Sequence, residues 1–195
     1  IGVGLVGSEM CIRDRYVAVG SGGVWKTKNA GTTWMPLTDN MPFYSTGSIT
    51  IDPNDSSRIW VGTGENVAGR HVGIGHGIYL SKDSGSTWDD MGLKKSEHIS
   101  KIIVHPDNSN IIWVASQGPL WNSGGDRGLF MSTDGGNTWS NKLYVNEWTG
   151  VTDIIIDPTN PDILYAATWQ RHRNVASLID GGPGTSIYKL SLIHI

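Results

Sequence analysis

Cysteine occurs once in the 195 residues, phenylalanine twice, and charged side chains make up only 17% of the chain. Each scarcity removes a class of protein. A single cysteine, Cys11, cannot build a disulfide framework. A formal net charge of −3 supplies no basic surface for nucleic acid or for an anionic membrane. No apolar run approaches the roughly 20 residues a helix needs to cross a bilayer. Nor does a 3.6-residue apolar period persist for three turns, so no long helix is expected. Glycine and tryptophan are abundant instead, with 26 and 9 copies. Gly, Pro, Asn and Asp separate short runs rich in β-branched and aromatic side chains, which is the pattern of strands and tight turns.

The strings TKNAGTTW, SKDSGSTW and STDGGNTW end at Trp34, Trp88 and Trp139, 54 and then 51 positions apart. An Asp-Pro or His-Pro turn recurs at Asp52, His105 and Asp157. Soon after it come RIWVG, IIWVA and ILYAA, from Arg58, Ile111 and Ile163. GIYLS from Gly77 aligns with GLFMS from Gly128. A period near fifty residues is the mark of a repeat architecture and overrules a domain count taken from length. Each unit supplies four short strands. The predicted fold is all-β: a partial β-propeller, an open arc of about three to four four-stranded antiparallel blades. In the first complete blade the strands, counted outward from the axis, are expected at 48–52, 58–64, 77–82 and 86–91. Tyr16 aligns with Trp60, Trp113 and Tyr165, so the repeat opens in the second strand of one blade and reaches the third strand of a fourth. Such an arc cannot close its own edges.

Both ends depart from the repeat. Residues 1–15 contain VGSEMCIRDR, which resembles a translated sequencing-adapter read-through of the kind found in assembled metagenomic genes. SLIHI at 191–195 resembles the same, and LSL stands where a fourth Trp-terminated turn is due. The other reading of the first segment, a signal peptide, lacks an early basic cluster and a clear apolar core. The expected division is 1–15 foreign, 16–190 a fragment of one propeller domain, and 191–195 foreign. Cys11 then belongs to the foreign part.

The pattern Ser/Thr-x-Asp/Asn-x-Gly-x-Thr-Trp resembles the Asp-box of bacterial-neuraminidase-type propellers. Its residues are Asn29, Gly31, Thr33 and Trp34; Asp83, Gly85, Thr87 and Trp88; and Asp134, Gly136, Thr138 and Trp139. They read as structural. The Asp or Asn can accept hydrogen bonds from turn amides and the Thr hydroxyl, while the Trp folds beneath the turn. Asn29 does this without a charge, which argues against acid–base duty. These turns join strands three and four. Connections from strand two to three, and links between blades, therefore open on the opposite face. The former are long, at 65–76, 117–127 and 169–185, against 20–22 in the opening blade.

Long loops gathered on one face of a rigid scaffold are where binding usually resides. The ligand-binding candidates are Asn66, Arg70, His71, Trp121, Arg127, Trp169, Arg171 and Arg173, and the carboxylates to test for catalysis are Glu65, Asp126 and Asp180. Aromatic faces beside Arg, Asn and Asp suit a sugar or an extended peptide equally. The plainer alternative is that these loops only pack against neighbouring blades. No metal site is expected, since His71 and His76 lack further ligands. No cofactor is expected either, because the glycine runs at Gly20 and Gly73 open no helix.

GGVWKT from Gly22, VGTGEN from Val61, SEHIS from Ser96 and YAATWQR from Tyr165 together are similar to the sortilin N-terminal (Vps10-like) propellers. They resemble more closely large exported bacterial proteins of that group, often labelled glycosyl hydrolases. The resemblance runs from Tyr16 to Lys189. It implies an extracellular or periplasmic location and a non-catalytic module binding peptide or glycan, without membrane insertion. The alternative it implies is a glycoside hydrolase, sialidase-like or xyloglucanase-like, whose full site needs further blades. Such hydrolysis commonly uses two carboxyl groups about 5–10 Å apart. In VGSGG from Val19, Ser21 stands where the xyloglucanase pattern has its Asp. Arg70, Arg127, Arg171 and Arg173 lack the Tyr–Glu context of sialidases. Binding is the preferred reading, and enzyme status stays open.

Overall fold

Alternation along each strand decides how this chain is assembled, because neighbouring residues face opposite sides of a sheet. The computed structural model describes residues 14–67 and 69–192. It contains four small antiparallel sheets. The first holds β1 (Arg15–Val19), β2 (Gly23–Thr27) and β3 (Met35–Pro36). The second holds β4 (Thr46–Asp52), β5 (Asp55–Thr63), β6 (Ile78–Ser81) and β7 (Asp89–Asp90). The third holds β8 (Ile99–His105), β9 (Asn108–Ser116), β10 (Gly128–Ser132) and β11 (Ser140–Leu143). The fourth holds β12 (Thr149–Asp157), β13 (Asn160–Arg173), β14 (Leu178–Asp180) and β15 (Ile187–Ser191).

The apolar cores lie between sheets. Ile59 and Val61 of β5 pack toward the first sheet with Tyr16, Ala18 and Val24, whereas Trp60 between them packs toward the third sheet with Ile102, Val104 and Ile112. The alternation repeats one blade on: Ile112 and Val114 face back, and Trp113 faces Val151, Ile154 and Leu164 of the fourth sheet. Trp60 and Trp113 are 0% and 1% exposed, while Tyr165, their counterpart in the last sheet, is 37% exposed. The assembly is therefore an open arc of blades. Polar bonds staple its inner strands: Thr50 Oγ1 donates to the Ile102 carbonyl at 2.7 Å, and Ser100 Oγ to that of Val151 at 3.0 Å.

The Trp-terminated turns complete these interfaces. Asp83 accepts from Thr87 Oγ1 at 2.6 Å and from the amides of Thr87 and Ser86 at 2.8 and 2.9 Å. Asp134 accepts from Thr138 Oγ1 and its amide at 2.6 and 2.9 Å. In the first copy the Asn29 carboxamide takes the Thr33 amide at 2.9 Å. The threonine bonds, foremost, hold both carboxyl groups down at about 2. That support is complete above the ordinary aspartate pKa of about 3.9 and is lost as pH falls toward 2. Asn29 has no proton to gain. Trp139 reaches the preceding blade, where its ring meets Trp60 edge-on at 6.4 Å and its Nε1 donates to the Met91 carbonyl at 2.7 Å. Gly136 must be glycine here: its φ is +92°, and a Cβ would lie 2.5 Å from the Trp60 ring.

Three expectations need correction. The outer strand of the second sheet, expected at 86–91, is only Asp89–Asp90, because the turn's own hydrogen bonds occupy the residues before it. The stretch 169–185 is not simply a loop. The strand β13 runs on through Arg173 and pairs with β14, with Arg171 opposite Asp180. At the ends, Arg15 pairs with Thr27, and β15 extends through Ser191, so the sheets reach one residue past each expected limit. Most of the segment expected to be foreign at the start, Cys11 included, lies outside the described residues, as do 193–195.

Two substitutions test this packing by denaturant unfolding. Trp139→Ala should cost about 3 kcal/mol, since it empties a large ring from an interface between blades. Ser84, with φ +60°, occupies the position that Gly135 fills in the third turn, so Ser84→Gly should stabilise by about 1 kcal/mol.

Candidate functional site

Loop 117–127 is built around one guanidinium. Arg127 is 1% exposed. Its Nη1 donates to the Gln117 carbonyl at 2.6 Å, its Nε to that of Gly124 at 3.2 Å, and its Nη2 to those of Pro119 and Asn122. Burial pulls its pKa down to about 10. Arg127, nominated from the sequence as a ligand contact, is thus buried and bonded to carbonyls of its own loop and of Trp148. Gly118, with φ +70°, lets the chain turn tightly around it.

The extension of β13 brings the fourth blade over the third. The Arg171 amide donates to the Trp148 carbonyl and that of Arg173 to Leu120, both at 3.1 Å. Trp148 stacks on His172 with centroids 3.9 Å apart. Arg171 lies over the Trp169 ring at 5.2 Å, is 1% exposed, and donates from Nη1 to the Val67 carbonyl of loop 65–76 at 3.0 Å. Exposed Arg70 returns the contact, from Nη2 to the Val175 carbonyl at 3.5 Å. Three loops from three blades therefore meet here.

Under them sits a polar group with little solvent. His98 and Gln117 stand side by side just past the paired ends of β8 and β9, joined by a bond from the Gln117 amide to the His98 carbonyl. Both are 1% exposed. The Gln117 side chain donates from Nε2 to Asn66 Oδ1. Burial, reinforced by the charges of Arg171 and Arg127, lowers His98 to about 4. Glu97 beside it is half-buried, with φ +64° in the left-handed region. Burial raises its carboxyl pKa despite Arg127 and Arg171 nearby. Its carbonyl accepts the Gly75 amide at 2.8 Å. Gly64 is required next to it, since a Cβ there would fall 1.9 Å from that oxygen.

The three nominated carboxylates each face a different neighbour. Glu65 accepts the Ser21 hydroxyl of the first blade. Asp126 accepts the Lys95 amide at 2.9 Å. Asp180 is exposed on β14 opposite Arg171. Neither His71 nor Arg70 is buried, and Trp121 stands out at 37% exposure. Sequence reading missed Glu97 and His98, and also Tyr144 and Trp148 on the next link. The signal was present: links between blades open on the same face as the long loops. Among the described residues no three His, Cys, Asp or Glu side chains gather as a metal site would need.

An open arc of four propeller blades with enlarged connections on one face is the class that these features define. Residues 22–149 match the Sortilin-Vps10 family (sortilin, neurotensin receptor 3), and the chain belongs to that family. It is also 23% identical over 201 residues to a xyloglucanase from Acetivibrio thermocellus, covering 86% of this chain and 23% of that protein. Among solved structures, a GH74 enzyme from Niastella koreensis superposes with a TM-score of 0.69 at 19% identity, over 99% of this chain and 29% of the other. An auxiliary nutrient binding protein from Bacteroides thetaiotaomicron superposes with a TM-score of 0.57 at 10% identity, over 96% of this chain and 42% of the other. These two share the fold. The chain spans about a quarter of the xyloglucanase it matches.

A pH prediction follows from His98. Between pH 6.5 and 4 the unfolded chain binds a proton there that the folded chain refuses, so stability falls as pH falls through that window. Denaturation curves should show uptake of roughly one proton on unfolding, and His98→Gln should flatten that slope.

Proposed function

We propose that this chain is a section of an exported, glycoside-hydrolase-related propeller, and that its loop face holds a neutral glycan of the xyloglucan type. The observation that carries the reading is the set of aromatic side chains on the connections of this face. Trp121 and Tyr144 are exposed, and Trp148 stacked on His172 lies beside the strand that presents Trp169. Sugar rings offer C–H faces to such surfaces and hydroxyls to the polar groups between them. The likeness to xyloglucanases favours glycan over peptide as the occupant. An exported setting is in keeping with that chemistry.

Binding, rather than bond cleavage, is the part of the task we assign to these blades. Glu65 and Asp126 are each already engaged by a neighbouring donor, one from the first blade and one from the link between the second and third. In a longer protein of xyloglucanase type, a pair of catalytic carboxyls then includes groups from other blades.

Calorimetry of the 195-residue chain with a xyloglucan oligosaccharide, alongside assay of new reducing ends, tests this. Binding without turnover is expected, and Trp121→Ala should weaken it about tenfold, or about 1.4 kcal/mol. Absence of binding to the oligosaccharide, with capture of extended peptides instead, contradicts the glycan reading. Turnover that Glu65→Gln or Asp126→Asn abolishes contradicts the division of labour.

A further inference from the structure

Four polar atoms in the group beneath the loops have no partner: Arg171 Nε and Nη2, Gln117 Oε1 and His98 Nδ1. A buried polar atom is rarely left unpaired, so four in one neighbourhood are a large departure from the usual state of interiors. They are linked. Gln117 bonds to Asn66, the residue before Val67, and Val67 in turn accepts Arg171. Glu97 adds a half-buried carboxyl held in a backbone conformation that side chains rarely adopt. Strain of this kind persists where the surroundings over-determine it, and it clusters at ligand clamps.

We propose that Arg171, Gln117, His98 and Glu97, closed over by Asn66 and Val67, form a binding well for the hydroxyl groups of a neutral sugar unit. This rests on the glycan reading above and specifies its polar subsite. The demand is mixed: guanidinium N–H groups need acceptors, whereas Gln117 Oε1 needs a donor. A hydroxyl does both. Charge points to a neutral ligand. Arg171 and Arg127 are matched by Glu97 and by Asp180 opposite Arg171, so an anion would meet two carboxylates and a cation two guanidinium groups. Access requires that Val67 and Asn66 move aside, and a sugar oxygen can then take the place of the Val67 carbonyl on Arg171. Val67 is itself 51% exposed.

The test uses the 195-residue chain, its fold checked by circular dichroism, with xyloglucan oligosaccharide and an oligogalacturonate as probes. Glu97→Gln and Asn66→Ala, both mild changes, should each weaken xyloglucan binding about tenfold. The Arg171 Nε–H resonance should shift on titration of the unmodified chain. Oligogalacturonate should bind at least tenfold more weakly than the neutral probe. If xyloglucan binds, Trp121→Ala weakens it, and neither Glu97→Gln nor Asn66→Ala does, the well is wrong while the aromatic face stands. An unmoved Arg171 resonance, or preference for the uronate, also overturns the well. Failure of xyloglucan to bind the unmodified chain overturns both.

Discussion

Everything in this chain depends on strands that share their two faces between two neighbours. A single residue such as Trp60 cannot be buried by its own blade. It needs the inner strand of the next blade and the Trp139 ring that the next blade's turn sends back. Hydrophobic burial here is a property of contacts between repeats, which makes the arc quasi-one-dimensional in its energetics. The exposed Tyr165, Ile155 and Ile187 on the last sheet show the same rule from the other side.

Rigid packing below frees the connections above. Turns on one face spend their polar groups on themselves, as Asp83 and Asp134 do, and leave no chemistry to offer. Connections on the other face are longer and interlock across three blades. Arg127 and Arg171 show two fates for the same side chain in that setting. Arg127 spends its guanidinium on carbonyls of its own loop and the neighbouring link, which fixes the loop's shape. Arg171 reaches across to a different blade, bonds there through Nη1, and keeps two nitrogens, Nε and Nη2, unspent. The contrast separates a residue that builds the face from one that is available to serve it.

The architecture was legible in the sequence because its signals are local and repeated. Three turns in register, the Asp-Pro and His-Pro corners, and the IWV-type runs gave an arc of about three to four blades, its strand order and the equivalence of Tyr16 with Trp60 and Trp113. The burial of Arg127 and Arg171 was not legible. Burial of a long cation depends on which carbonyls surround it, and those come from residues up to a hundred positions away. Glu97 and His98 were overlooked for a related reason. They stand in a short link, SEHIS, whose buried setting appears only when β8 and loop 65–76 are folded around it. The extension of β13 escaped notice because WQRHR has no alternation to mark it as strand.

The claim at the centre of this account is that one face of the arc binds glycan and the other holds the blades together. Hydrogen–deuterium exchange of the chain, with and without a xyloglucan oligosaccharide, addresses it directly. The account predicts added protection in 65–76, 96–98, 117–127 and 169–185, and none at the turns ending in Trp88 and Trp139. Protection centred on those turns, or no change anywhere at saturating oligosaccharide, would contradict it.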